Sequence, residues 1–390
     1  MSTTYEALPG NILAPYNAAQ QERLASIDSM RVFLTMLVIA HHAAIAYGGA
    51  GDWPVKDPNI DQLTPIPLAI FNAINQSYFM SAFFLLAGYF TPTALLRKGI
   101  RQFILDRIIR LGIPLLVYST IFVNLNAYML DIYYHKISYQ PILMYTPGHL
   151  WFLQALLVFA SFSAVCYLLM PDFIAPTNDS AWQRPFPGNN TLQIWIVLLG
   201  LATFAIRLWF PVGVGFYGIQ PGHIVHYVFA FVVGIAAYRH NWLNSMPAAQ
   251  AQRWGLSTLA AIPLFMLLIM AAGALTDRAN VETLPGGWHW EALAYALWES
   301  WLMIAMCMVL ITFFRKHNQQ HHRFARTLAA NAYTVYILHQ TILIGINIAL
   351  LHAPIPTIVK FVIATTLTIV ASFGMATLVR KLPWAQRVLS

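Results

Sequence analysis

Apolar runs about 20 residues long, enough for a helix to cross the hydrocarbon core of a bilayer, recur along the chain between short polar stretches. Ten windows reach that length, some with polar interruptions: 28–48, 68–91, 111–130, 149–170, 192–210, 222–239, 255–275, 291–314, 328–351 and 356–379. The pattern predicts an all-α fold, a polytopic membrane helical bundle of about ten transmembrane helices. No heptad, fixed-period repeat or low-complexity tract interrupts it.

Composition strengthens this reading. The 390 residues are 58% hydrophobic and 9% charged, with a mean hydropathy of +0.59, against about 25% charged residues in a soluble domain. A string of soluble domains is thereby excluded, and so is a large extracytoplasmic domain. Cys166 and Cys307 both lie within apolar runs and read as small hydrophobes rather than as a disulfide or a metal-thiolate site. The domain reading is a cytoplasmic tail over 1–25, a transmembrane domain over 26–380 and a cytoplasmic tail over 381–390. The tail over 1–25 has no cleavable signal pattern, so the first run serves as an uncleaved anchor.

Charge fixes a direction. With the N-terminus inside, the inner side receives all but five of the 22 Lys and Arg residues: Lys56, Lys136 and Arg278 fall in outer loops, while Arg207 and Lys360 lie near the outer ends of windows. Cytoplasmic loops are enriched in basic residues, so the expected topology is N-in and C-in. The net charge of +8 then follows from the inside bias and anionic inner-leaflet lipid, and implies no nucleic acid partner.

Ionisable groups inside spans are rare and face a bundle interior or a wet cavity. In RVFLTMLVIAHH (31–42), eleven residues bring His42 within about 20° of the face of Arg31 and roughly 16 Å further along the helix, with His41 turned about 80° aside. The alternative for these groups is an inner anchor and packed neutral histidines. His339, about 11 residues into the ninth window, lies at a similar depth. Glu299 enters its window from the outer side to a matching level, where it either orients a histidine base or bonds, protonated, to a carbonyl.

RKGIRQFILDRIIRLGIPL (97–115) places Arg101, Arg107 and Arg110 on the inner side. Guanidinium groups suit phosphates, although topology alone also puts cations there. Outside, His149, Trp151 and Trp288 read first as part of the interfacial aromatic belt, with an acceptor-binding platform as the alternative. His223 and His226 lack a third ligand for a metal; no metal site is expected. The run from His317 to His322 reads as a solvated inner loop.

Several of these stretches together resemble the acyltransferase-3 family of membrane acyltransferases: DSMRVFLTMLVIAHH (28–42), MSAFFLLAGYF (80–90), RIIRLGIPL (107–115), GHLWFL (148–153) and NAYTVYILHQ (331–340). They run in family order with fitting topology, and their wording resembles the family's glucan-biosynthesis branch, whose members are implicated in succinylating periplasmic glucans. The resemblance implies a multi-pass protein of the cell inner membrane with acyl-CoA as cytoplasmic donor, acetyl-CoA or succinyl-CoA, and no tightly bound cofactor. It implies a glycan or polysaccharide acceptor outside. Carried over by position, His42 is the essential histidine, Arg31 its motif partner and Arg107 with Arg110 the paired arginines, while Tyr336 and His339 match the late helix. Glu299 has no counterpart in these motifs.

The expected reaction is O-acylation in which only the acyl arm of the donor threads into the membrane. Arg31, Arg101, Arg107 and Arg110 hold the acyl-CoA phosphates at the inner mouth. At depth, His42 acts as general base or transient acyl carrier, with Tyr336 or His339 as oxyanion donors. The rival reading is a proton-coupled secondary transporter relaying protons through His, Glu and Arg, for which no inverted repeat is visible. The acyl group, the acceptor and the oligomeric state, a homo-oligomer included, are left open by the sequence.

Overall fold

The computed structural model describes residues 13–134, 145–171, 184–276, 283–317 and 323–389. Among these residues every extended regular element is helical: α1 (Leu13–Ala46), α2 (Pro65–Arg107), α3 (Ile113–Val117), α4 (Val123–Tyr133), α5 (Trp151–Leu169), α6 (Asn189–Arg207), α7 (Pro221–Arg239), α8 (Ala248–Thr276), α9 (Trp290–His317), α10 (Arg323–Leu350) and α11 (Thr357–Val379). The protein is an all-α polytopic membrane bundle.

Nine of the described helical stretches are long and apolar enough to cross a membrane, against ten windows in the sequence. The difference lies in a continuous stretch of 69 residues, Pro65–Tyr133, which contains two windows. Gly99 breaks it with φ 71 and ψ 164. A Cβ there would meet nothing within 4 Å, so it is the positive φ rather than crowding that suits glycine. Beyond α2 the backbone passes through π-helical turns at Ile108–Gly112 and Tyr118–Phe122. Each inserts a residue into the helical period and rotates the next length of helix; such turns gather at functional positions.

The helix α1 starts at Leu13, inside the stretch that reads as a tail, while the part of it long and apolar enough to cross a membrane is Ala25–Ala46. At the other end, Pro383–Leu389 forms a short helix, and Leu389 packs on the main core. Lys136, Arg278 and most of the loop that reads as solvated, residues 318–322, lie outside the described residues.

The helix α1 is the hub: it packs against α2, α9, α10 and α11. Extensive packing also joins α2 and α7, where two glycines remove the side chains that would separate the backbones. A Cβ on Gly88 would lie 2.1 Å from the Phe231 carbonyl oxygen, and one on Gly234 would lie 2.2 Å from that of Leu85. Small residues at such crossings allow the close approach on which membrane helix association depends. At the periphery, α8 and α11 present Leu264, Leu267, Met270 and Val370 outward, the surface expected to meet lipid.

The link from α1 to α2, residues 47–64, is fastened across the bundle. Asp57 and Lys360, both buried, pair at 2.7 Å. Lys360 also donates to the Leu351 carbonyl at 3.1 Å, and the Asp57 N–H donates to Ala46 at 2.9 Å. Asp61 caps the following turn, accepting from the Thr64 N–H and hydroxyl at 2.8 and 2.7 Å. These hydrogen bonds hold its carboxyl at about 2, below the ordinary carboxylate value. The fastened segment carries Trp53 down onto α1.

Candidate active site

The upper part of α1 and the middle of α10 bring two histidines into contact. His42 Nδ1 lies 2.9 Å from His339 Nε2, and their ring planes are 3° apart. His339 Nδ1 lies 2.7 Å from the Tyr336 carbonyl oxygen. A carbonyl only accepts, so His339 Nδ1 carries the proton and, in the neutral ring, Nε2 is the acceptor. His42 must then donate from Nδ1. The lone pair of His42 is left on Nε2, which no group among the described residues engages. His339 is fully enclosed, whereas His42 is only half-buried, so the free base belongs to the more accessible ring.

Trp53 covers His42, with ring centroids 5.0 Å apart and planes 23° apart. The indole is buried, and its N–H has no hydrogen-bond partner among the described residues. His41 points elsewhere, as helical geometry requires: it stacks on Phe79 at 4.9 Å.

His149, on the turn before α5, joins the same cluster from behind. Its ring meets that of His339 at 4.6 Å, edge to face, and Nε2 donates to the Tyr336 carbonyl at 2.9 Å. Its Nδ1 contacts the Gln340 side-chain amide, which also receives the Tyr118 hydroxyl at 2.6 Å. Tyr336 donates its hydroxyl to the His149 carbonyl at 2.5 Å. His149 therefore sits in the support of the histidine pair instead of at an outer acceptor platform. The Tyr336 hydroxyl is already committed, and what Tyr336 offers to His339 is its backbone carbonyl.

The other candidate acceptor residues lie apart from this cluster. Trp151 stacks on Tyr227 at 5.4 Å. Trp288 is 81% exposed and rests against Phe204, the place of an interfacial ring.

Glu299 does not reach the histidine pair and serves a different partner. It pairs with Arg207 at 2.5 Å, both groups being fully enclosed. Arg207 further donates to the Gly222 carbonyl at 3.0 Å and contacts His223 Nδ1 at 3.1 Å. His226 bridges Ser300 at 3.1 Å and Thr203 at 3.3 Å. This second polar cluster ties α6, α7 and α9 together. Depth along an axis is readable from the sequence; the direction in which α9 turns Glu299 is not.

At the inner end, Arg31 pairs with Asp28 at 3.3 Å, each about half exposed. Arg101 and Arg110 are exposed and Arg107 half-buried, its guanidinium 5.0 Å from the centre of the Phe103 ring. Tyr333 of α10 hydrogen-bonds the Arg110 carbonyl. Six residues, about 9 Å of helix, separate Tyr333 from His339. The same helix thus contacts the basic segment and carries the histidine site.

A model for an acyltransferase domain, that of the acyltransferase-3 family, matches residues 24–377. The chain belongs to the acyltransferase-3 family. Among curated relatives, Glucans biosynthesis protein C of Salmonella gallinarum, of Salmonella paratyphi B and of Salmonella agona are each 25% identical over 232 residues, covering 55% of this chain and 58% of the relative. The match thus spans little more than half the length of those proteins. No solved structure matches the chain.

In this acyltransferase-3 chain, the Arg31 and His42 motif residues share one unbroken helix, and the late Tyr/His helix supplies the direct partner of His42. Four participants carry little or no signal in the sequence. Trp53 lies in a loop whose closure needs Lys360, which is far along the chain. Tyr118 is displaced by the π turns, and Gln340 adjoins His339 without a signal of its own. Arg207 is visible as an intramembrane cation and points to Glu299 only once the fold is in place.

Proposed function

We propose that the protein transfers an acyl group from cytoplasmic acyl-CoA to a hydroxyl of an extracytoplasmic glycan in the cell inner membrane. The observation that carries this reading is the hydrogen-bonded series from His42 through His339 to the Tyr336 carbonyl, which leaves His42 Nε2 as an oriented base. Family membership supplies the reaction class. The relatives' name supports a glucan as the acceptor.

The acceptor hydroxyl gives its proton to His42 Nε2 while its oxygen attacks the thioester carbonyl carbon. The resulting imidazolium is stabilised by the hydrogen bond from its Nδ1 to His339, as an orienting partner supports a histidine base. When the intermediate collapses, the C–S bond breaks, the sulfur takes the proton from Nε2, and ester and CoA are released. The developing oxyanion needs a donor; the unengaged Trp53 indole N–H fills that role better than the committed Tyr336 hydroxyl. Arg31, Arg101, Arg107 and Arg110 hold the CoA phosphates, so that only the acyl arm enters the bundle. An acyl-His42 intermediate would use the same nitrogen. We favour the general-base route, because His339 supports the charge that proton uptake creates.

The test is CoA release by purified protein in lipid nanodiscs, with acetyl-CoA or succinyl-CoA and a linear or cyclic glucan. His42→Ala should lose transfer by at least about 100-fold, and His339→Ala by about 100-fold with KM for acyl-CoA little changed. Full transfer by folded His42→Ala would sink the reading.

A further inference from the structure

At the inner ends of α10 and α11, beside the short C-terminal helix, lies an open cavity of about 600 Å³. That volume falls within the range of small-ligand sites. Four cations line it, Arg323, Arg326, Arg380 and Lys381, together with Asn331 and Thr377 and no carboxylate. None of the ion pairs among the described residues involves any of the four.

The cavity has a built floor. Asn331 is buried, donates to the Thr377 hydroxyl at 2.8 Å, and accepts from Arg380 Nη1 at 3.1 Å. Its hydrogen bonds fix the Arg380 guanidinium, yet the Arg380 Nε–H is buried without a partner among the described residues. Three further cations outside any ion pair converge with this fixed guanidinium on one cavity without a carboxylate, which points to an anionic ligand. Positive-inside bias explains cations on this side of the membrane. It does not explain their convergence on one cavity around a guanidinium fixed by Asn331.

We propose that this cavity binds a phosphate ester, with the headgroup of an anionic phospholipid as the source its position favours. Asn331 and Tyr336 are five residues apart on α10, about 140° around the helix. The cavity thus lies round the helix from Tyr336, and its floor at Asn331 is about 12 Å of helix from His339. Further up α11, Val370, Met375 and Leu378 are exposed, giving an apolar strip for the acyl chains of a lipid whose phosphate sits among the cations. Arginine forks bind phosphate oxygens bidentately, and clustered basic residues beside a membrane helix attract anionic lipid. The proposal stands apart from acyl transfer, since binding can be measured without turnover.

Native mass spectrometry of the full-length protein released from phosphatidylcholine nanodiscs doped with phosphatidylglycerol tests it. The wild type should retain phosphatidylglycerol. Arg326→Gln/Arg380→Gln should retain about tenfold less or lower, whereas Arg253→Gln/Lys316→Gln, an equal loss of charge at exposed inner positions, should retain as much as the wild type. Because Arg380 also holds Asn331, Arg323→Gln/Lys381→Gln repeats the test with that floor intact and should show the same loss. ADP, added as a soluble phosphate ester, separates the sources. Cavity-dependent binding of ADP without lipid retention would uphold the phosphate site and assign it to a nucleotide. Equal retention by all variants, or equal loss in the control pair, would overturn the proposal.

Discussion

Trp53 and His42 illustrate how much a single contact decides. The indole stacks on the imidazole and places a buried N–H without a partner among the described residues beside the proposed reaction centre. Packing alone needs the ring, whereas oxyanion stabilisation needs the N–H. Trp53→Phe separates the two, because phenylalanine keeps an aromatic plate and removes the donor. Loss of one oxyanion donor lowers kcat by roughly 100-fold to 1,000-fold in enzymes that depend on it. The expected outcome is a fall towards that range with thermal stability changed little; unchanged kcat would leave Trp53 as a packing plate. At this scale the sequence is informative where spacing along one helix suffices, as for Arg31, His42 and the turned-aside His41. It is silent on Trp53, whose position depends on the Asp57–Lys360 pair formed across most of the chain.

Among elements, the bundle is legible where hydrophobicity alone writes it. The windows at 68–91 and 111–130 fall inside the Pro65–Tyr133 stretch, but the turn at Gly99 and the two π segments between and within them do not announce themselves. A π turn shifts the period by one residue and leaves composition untouched. The crossing of α2 and α7 is likewise visible only in space, where Gly88 and Gly234 oppose backbone carbonyls. Gly88→Val sets branched carbon where a Cβ alone would lie 2.1 Å from the Phe231 oxygen. Helical backbone on both sides leaves little room to yield, and overpacking typically costs about 1–3 kcal/mol. The thermal midpoint in detergent should fall, and Gly345→Val, where a Cβ meets nothing within 4 Å, should leave it near the wild-type value. Equal midpoints for the two variants would show that α2 and α7 can part without loss.

For the whole molecule, the proposed chemistry and the tying together of helices fall to different buried polar clusters, the histidine site and the Arg207–Glu299 cluster. The histidine site leaves a nitrogen free, while the Arg207–Glu299 cluster uses its charged groups on each other and on α6, α7 and α9. Ranking ionisable residues by depth along the sequence cannot make this distinction, because residue counts along their helices predict the same level for Glu299 and His42. The distinction has a measurable consequence. Glu299→Gln leaves a buried guanidinium without its counter-ion, and breaking such a pair by removing one partner costs about 3–5 kcal/mol. Replacing both partners with apolar residues removes both desolvation penalties, so Arg207→Met/Glu299→Leu should be more stable than either single substitution. Measured as thermal midpoints in the same lipid, that ordering would identify the pair as an architectural ion pair. Transfer per folded molecule should stay within a fewfold of wild type in the double variant. A double variant that folds as well as the wild type yet loses transfer as completely as His42→Ala would instead place Glu299 in the chemistry.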